Sequence, residues 1–273
     1  MSKRGQRGQL TIIIIIAVII IALGLITFFL WPQISALFMN EQQTQRFLAS
    51  QAEPLRQSVA DCVKEASLEA FQKMGLQAGY YEPIGLSSIY YFENSFTVVL
   101  FKDSAKNRIN KLPTLAQISQ QYLNYLEKEG NAKIDSCLDN LNSFKRVMII
   151  EAGERKISPI FYEDSILILV DWPMKLSKGK VEQNINQKDA ELLIPFRKLH
   201  KVASDIVDCD IQTDCKFTGQ NWDAYTWDNP YTLRYIDKQA YNLDANRRIF
   251  LLESKPYRPG EEPFKFYFAE DLT

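Results

Sequence analysis

The stretch LTIIIIIAVIIIALGLITFFLW, residues 10–31, contains no charged residue and decides how the chain is organised. A helix rises about 1.5 Å per residue, so this stretch would be about 33 Å long, enough to cross a hydrocarbon core about 30 Å thick. Lipid offers the backbone no other hydrogen-bond partner, which enforces the helix. The stretch is longer than the apolar region of a cleaved secretory signal and ends on Trp31, a residue typical of the membrane interface. We therefore predict an uncleaved transmembrane helix.

The charges on either side of this helix predict its orientation. Lys3, Arg4 and Arg7 precede it without any acidic residue, whereas the first charges behind it are Glu41 and Arg46. Positively charged flanks remain in the cytoplasm. The sequence thus predicts a cytoplasmic basic head at 1–9, a transmembrane helix at 10–31, a membrane-proximal connector at 32–53 and an extracytoplasmic domain at 54–273, in which two lobes would divide near residue 145.

Composition and motifs exclude several classes of function. The chain has 273 residues and a net charge of −1, without the basic stripe that nucleic-acid binding requires. Neither GxSxG, a P-loop, GxGxxG nor HExxH occurs. We assign no catalytic residue and expect no cofactor and no small-molecule substrate. The lone His200 has no partner at helical spacing and is interpreted as a surface histidine or one with a satisfied hydrogen bond.

All four cysteines, Cys62, Cys137, Cys209 and Cys215, lie on the predicted outer side, where an oxidising environment permits disulfides. Four cysteines allow three pairings. Proximity in sequence favours Cys209 with Cys215, which would leave Cys62 with Cys137. Four free buried thiols are the alternative.

The patterning behind the membrane predicts an α+β domain, with helices first and a largely antiparallel sheet after them. Apolar residues recur every three to four positions from near Pro54 to Gly75, which predicts a helix carrying Cys62 on its apolar face. A hairpin is predicted over 88–101, and a second helix at Pro113-Thr114, where Thr114 and Gln117 form a capping box. A shorter helix would carry Cys137 on its apolar face. From residue 146 the period changes to two, which predicts strands at 147–150, 156–162, 165–174 and 191–196. Pro173 predicts a strand end or an edge strand at that point. A helix is predicted at 197–207, and three further strands are predicted in the tail.

Two surface stretches are candidate sites. Asp208, Asp210 and Asp214 surround the Cys209–Cys215 pair and form a weak candidate for Ca²⁺, which takes six to eight oxygen ligands. Because the glycine and the terminal glutamate of an EF-hand loop are missing, we expect a solvated acidic loop without metal. The second stretch is an aromatic run that would either bind a protein or sugar partner or close the bottom of a sheet. It comprises Trp222, Tyr225, Trp227, Tyr231 and Tyr235.

The head contains RGQ twice, and the second copy continues into the apolar helix as RGQLT. This resembles the archaeal class III signal peptide of type IV pilin-like proteins, in which a peptidase cuts between Gly and Gln. The resemblance implies processing between Gly8 and Gln9. The family's glutamate at the fifth mature position, which sets the register of the filament, is replaced here by Ile13.

Beyond the head, DCVKEASLEAFQKMGLQAGYYEP, CLDNLNSF, EDSILILVDWPMKLSKG and PFKFYFAED resemble a set of uncharacterised archaeal single-span membrane-anchored proteins. The resemblance implies this topology and supports pairing of Cys62 with Cys137, but brings no activity with it. We expect a non-enzymatic cell-envelope structural or interaction protein in the cell membrane, whose partners are the membrane and other envelope proteins or further copies of itself. The alternatives are a pilin-like filament subunit and an envelope hydrolase with unassigned carboxylates.

Overall fold

The computed structural model describes residues 40–91, 94–211, 231–236, 246–254 and 262–273, with the backbone alone described for 231–236. Its helices are α1 (Glu41–Leu76), α2 (Leu115–Tyr125), a π-helical turn (Leu126–Gly130), α3 (Asn131–Cys137), a 3₁₀ turn (Asp139–Leu141), α4 (Asn142–Lys145) and α5 (Phe196–Ile211). Its strands are β1 (Ser88–Tyr91), β2 (Asn94–Lys102), β3 (Arg108–Asn110), β4 (Ile149–Ala152), β5 (Lys156–Phe161), β6 (Ile166–Asp171), β7 (Met174–Lys178), β8 (Val181–Ile185), β9 (Ala190–Leu192), β10 (Tyr231–Ile236), β11 (Arg247–Ser254) and β12 (Lys265–Asp271).

Helix α1 is the central element of the described fold, and it begins more than three turns before the predicted start near Pro54. Asn40 caps it: the Asn40 side chain accepts from the backbone N–H of Gln43 at 2.8 Å, and the Gln43 side chain accepts from the backbone N–H of Asn40 at 3.1 Å. This reciprocal capping box satisfies two N–H groups that a helix start leaves without partners. Residues 41–53 of the predicted connector therefore belong to α1.

Pro54 lies inside α1 and not in its first turn, which corrects the sequence prediction. An interior proline costs a helix about 3 kcal/mol through a lost hydrogen bond and a clash with the preceding turn. Pro54 is exposed, so the helix can adjust on its solvent side. Opposite it, a continuous buried stripe keeps the helix on the core. That stripe includes Thr44, Leu48, Ala52, Leu55, Val59, Val63, Ala66, Ala70 and Met74.

Within the described ranges the strands form three sheets. The largest has the order β1-β2-β12-β11-β10, with β3 also pairing with β2. The two others have the orders β4-β7-β8 and β5-β6-β9. Every described pair is antiparallel except β12 with β2, where Ala269 lies opposite Val98 in a parallel arrangement. The predicted α+β class and largely antiparallel pairing are confirmed.

Most of the local predictions are also confirmed. The hairpin is β1–β2, and Thr114 with Gln117 forms the capping box at the start of α2. The strand predicted over 165–174 is interrupted at Trp172-Pro173, so that β6 ends at Asp171 and β7 begins at Met174. Proline cannot donate to a strand ladder, which explains the break.

One hydrophobic core joins α1 to the sheets and contains residues on both sides of position 145, from Leu48 to Leu272. Phe71 lies at its centre, stacked on Tyr122 with ring centroids 5.2 Å apart and edge-on to Phe196 at 5.5 Å. Among the described helices, none is both long and apolar enough to cross a membrane. The predicted transmembrane helix at 10–31 lies outside the described residues.

Gly75 lies where α1 packs closely against the large sheet. A Cβ atom at this position would lie 2.2 Å from the backbone oxygen of Lys265 in β12. In an exposed helix, alanine would be preferred to glycine by about 1 kcal/mol. We expect the opposite sign here: Gly75→Ala should lower the free energy of unfolding by about 1–3 kcal/mol, because a strand backbone cannot move aside.

Chemical denaturation of Gly75→Ala and wild type checks this expectation, with Gln72→Ala as the matched control. Gln72 is exposed on the same helix, so its replacement should change stability by less than about 0.5 kcal/mol. A Gly75→Ala variant as stable as wild type would contradict the close packing of α1 on β12.

Candidate functional site

A disulfide joins α1 to α3. The bond links Cys62 to Cys137 with a Cα–Cα distance of 5.8 Å, which confirms the preferred pairing. Cys62 is only 6% exposed and lies on the buried stripe of α1, as predicted. Cys137 is exposed, so its predicted place on an apolar helix face is wrong. It is the last residue of α3, where Ile134 and Leu138 take the inward positions.

Polar contacts continue from the disulfide towards the end of α1. Lys133 pairs with Glu69, Lys73 donates to Glu129 at 2.7 Å, and the Tyr81 hydroxyl donates to the same Glu129 at 2.7 Å. As residue numbers rise along α1, those of the partners fall from 137 to 133 to 129. The second half of α1 and the segment around α3 are therefore antiparallel and cross-linked at three levels.

This row of contacts keeps its charges at physiological pH. Hydrogen bonds from Lys73 first, and then from Tyr81, lower the pKa of Glu129 to about 2. The hydrogen bond to Glu129 raises the pKa of Tyr81 to about 12. Glu129 thus remains an acceptor and Tyr81 a donor. Below the surface, the hydroxyls of Ser67 and Tyr122 add a buried hydrogen bond of 2.7 Å between α1 and α2.

A second group of polar residues is buried where α5 meets the large sheet. Glu270 of β12 is fully buried, and its Oε2 lies 2.9 Å from Nη2 of Arg248 in β11. The same Nη2 lies 3.0 Å from Oδ2 of Asp210 in the last turn of α5. Arg108 of β3 donates to the backbone oxygen of Asp210, one of the carbonyls that a helix end leaves without a partner. We call these four residues the buried charge cluster.

The buried charge cluster holds a carboxyl group in an unusual state. Burial raises the pKa of Glu270 well above its ordinary value, and the charge of Asp210 adds to this effect. Arg248 acts in the opposite direction but does not cancel the cost of burial. When Glu270 is protonated, its hydroxyl can donate to the neighbouring Asp210 carboxylate, beside Arg248. Perturbed carboxyl groups of this kind occur at functional sites and in structural ion-pair networks alike.

The structure gives two of the proposed calcium ligands other partners. Asp210 faces Arg248, and Asp208 accepts from Asn110 at 3.3 Å and from Ser204 at 3.3 Å. Asp214 lies outside the described residues. In the part of the chain that the structure describes, no group of three or more His, Cys, Asp or Glu side chains could hold a metal ion.

His200 forms a hydrogen bond, in agreement with its interpretation from the sequence as a surface histidine or one with a satisfied hydrogen bond. Its Nε2 donates to the backbone oxygen of Pro113 at 2.6 Å, and its ring meets Phe266 edge-on. Burial lowers the pKa of His200, which keeps the ring neutral at physiological pH.

The other candidate residues fall outside the described side chains. These are Gly8 and Gln9 of the processing motif, Cys215, and the aromatic residues Trp222, Tyr225, Trp227, Tyr231 and Tyr235. Cys209 is disulfide-bonded. Glu270 was missed, although the sequence held a signal for it: in the tail, buried phenylalanines alternate at 264, 266 and 268, and Glu270 occupies the next inward position.

Comparison of the chain with known protein families, with curated proteins and with solved structures found no significant match.

Proposed function

We propose that the protein is a non-enzymatic, membrane-anchored structural or interaction protein of the cell envelope, with its C-terminal domain outside the membrane and its head in the cytoplasm. The observation that supports this proposal best is α1. It begins shortly after the predicted transmembrane helix and is held by the rest of the domain from Leu48 to Met74. A helix held in this way can carry a domain on a membrane anchor.

The contacts along α1 would let it transmit a load. The helix packs on β7, β8 and β9, and Arg56 in its first half donates to the backbone oxygen of Asn186 at 2.9 Å. Farther along, the Lys73–Glu129 pair connects it to the π-helical turn and the disulfide connects it to α3. A pull on the anchor would therefore be distributed over two sheets and a helical layer. The partners that fit this role are the membrane and other envelope proteins or further copies of the chain.

Protease treatment of intact cells tests the proposed topology. We expect externally added trypsin to remove an epitope tag at the C-terminus and to spare a tag placed before Lys3. Lys106 in an exposed turn offers a cleavage site. Permeabilised cells, in which both tags should be lost, provide the control. A C-terminal tag that survives in intact cells would refute the proposal.

A pilin-like filament subunit is the second candidate. It is favoured by the arrangement of one long helix laid across antiparallel sheets directly after an apolar stretch. Ile13 stands against it, since it replaces the acid that sets filament register. If the chain is processed like a pilin, mass spectrometry of the native protein should find Gln9 as the N-terminus. A peptide that spans Arg7 and Gln9 in the mature protein would rule out this candidate.

A further inference from the structure

The turn between β7 and β8 lies beside the start of α1. The Nζ atom of Lys178 is 4.0 Å from the centroid of the Phe47 ring, six residues into the helix. Farther along, Arg56 contacts Asn186, just beyond the end of β8. These two contacts show that β8 runs alongside α1 in the same direction. The turn therefore marks the end of the domain nearest to residue 40 and to the predicted membrane helix.

Exposed apolar side chains lie at the same end. Ile149, the first residue of β4, pairs with Ser177 at the end of β7, so the segment that precedes β4 reaches the β7–β8 turn. Ile149 is 62% exposed and Val147 is 41% exposed. Two exposed apolar residues in one short segment are placed where the domain would meet a membrane.

Basic residues precede these apolar side chains in the chain and also occupy the β7–β8 turn and the first turns of α1. We call the whole set the proximal surface, and its members are Arg46, Lys145, Arg146, Val147, Ile149, Lys178 and Lys180. All are exposed except Lys178, which is partly buried by Phe47.

The described acidic residues on the same elements do not pair with these basic residues. Glu41 lies in the first turn of α1. Glu182 and Glu151 on β8 and β4 both pair with Lys175, at 2.7 Å and 3.8 Å. Among the described residues, the proximal surface therefore combines basic side chains that form no ion pair with exposed apolar side chains, which is the composition of segments that lie in a membrane interface.

We infer that the proximal surface rests on the anionic headgroups of the bilayer, an inference that rests on the proposed membrane anchoring. The nine residues 32–40 can span no more than about 32 Å even when fully extended, so residue 40, at the same end of the domain, stays within that distance of the bilayer. Basic side chains are attracted to anionic lipid over roughly a Debye length, about 8 Å at physiological salt. Once electrostatic attraction has placed the proximal surface against the headgroups, Val147 and Ile149 insert into the membrane interface.

This contact would give the domain a defined orientation. If the predicted transmembrane helix were the domain's sole attachment to the membrane, the domain could rotate about the segment 32–40. With the proximal surface seated, α1 points away from the bilayer, so its later turns and the Cys62–Cys137 disulfide lie farther from the membrane than its first turn.

Amine footprinting of the full chain in nanodiscs tests the inference. Acetylation of Lys145 and Lys180 should be at least about fivefold slower in discs with anionic lipid than in discs of neutral phosphatidylcholine, since one basic residue near such a surface contributes about this factor. Lys64, Lys106 and Lys201 are exposed elsewhere on the domain and should react equally in both. Salt at about 1 M, where the Debye length is about 3 Å, should abolish the difference.

Two variants, each with three basic residues replaced, test whether the protection depends on the charges of the proximal surface. In Arg46→Gln/Lys145→Gln/Arg146→Gln, Lys180 should react in anionic discs as fast as in neutral ones. In the matched control Lys64→Gln/Lys106→Gln/Lys201→Gln, Lys180 should remain protected. Equal acetylation of Lys180 in both kinds of disc for wild type would overturn the inference, as would equal protection in both variants. A failure of the anchoring itself is distinguishable, because the chain would then not co-purify with the discs at all.

Discussion

Either Cys62→Ser or Cys137→Ser removes the Cys62–Cys137 disulfide, and each is expected to lower the free energy of unfolding by about 4 kcal/mol. The two cysteines are 75 residues apart, and the entropy that a cross-link removes from the unfolded chain grows with the length of the loop it closes. For a domain of this size, such a loss corresponds to a fall in Tm of about 8–16 °C. Since domains are stable by only about 5–15 kcal/mol, this loss would remove between about a quarter and four fifths of the stability.

Scanning calorimetry under non-reducing conditions measures this effect, and Cys209→Ser is the matched control. Cys209 is also disulfide-bonded, and if its partner is the nearby Cys215, the short loop is worth only about 2 kcal/mol. The double variant Cys62→Ser/Cys137→Ser should behave like either single variant, because all three lose the same bond. If Cys62→Ser lowered Tm no more than Cys209→Ser did, the Cys62–Cys137 disulfide would not contribute the stability expected from its long loop.

Replacing Arg248 with methionine is expected to cost about 3–5 kcal/mol at neutral pH, because it leaves Glu270 and Asp210 without their shared cation. The cost should shrink as the pH falls. Without Arg248 the pKa of Glu270 rises further above its value in the unfolded chain, so the folded variant binds a proton that the unfolded chain has released. Stability then falls as pH rises from the unfolded pKa through the folded one. Denaturation curves at several pH values between 5 and 8 measure the slope.

Glu270→Gln provides the internal test of this explanation. In the Arg248→Met background it should restore part of the lost stability, because the neutral amide removes the buried acid. Arg197→Met is the surface control, since Arg197 and Glu163 form an exposed pair at 3.7 Å that should be worth less than about 1 kcal/mol. A penalty for Arg248→Met that is independent of pH and not relieved by Glu270→Gln would refute the role assigned to the cluster.

Local signals in the sequence predicted most of the elements. Thr114 with Gln117 specified the start of α2, and Pro173 specified the break between β6 and β7, because capping and proline geometry act over a few residues. The start of α1 was misplaced for the opposite reason. Proline is a helix breaker by local rules, but the buried stripe on both sides of Pro54 favours a continuous helix through packing with distant strands.

The sequence by itself determined the α+β class, most of the helices and strands, and a preference for pairing Cys62 with Cys137, since each depends on periodicity, spacing or count; β3 and β8 were not predicted. Only the tertiary structure decided the parallel pairing of β2 with β12, which joins segments about 170 residues apart. It also decided that Glu270, Arg248 and Asp210 meet. A charged residue in a strand carries no information about its partner, because that partner is set by which distant element packs opposite it.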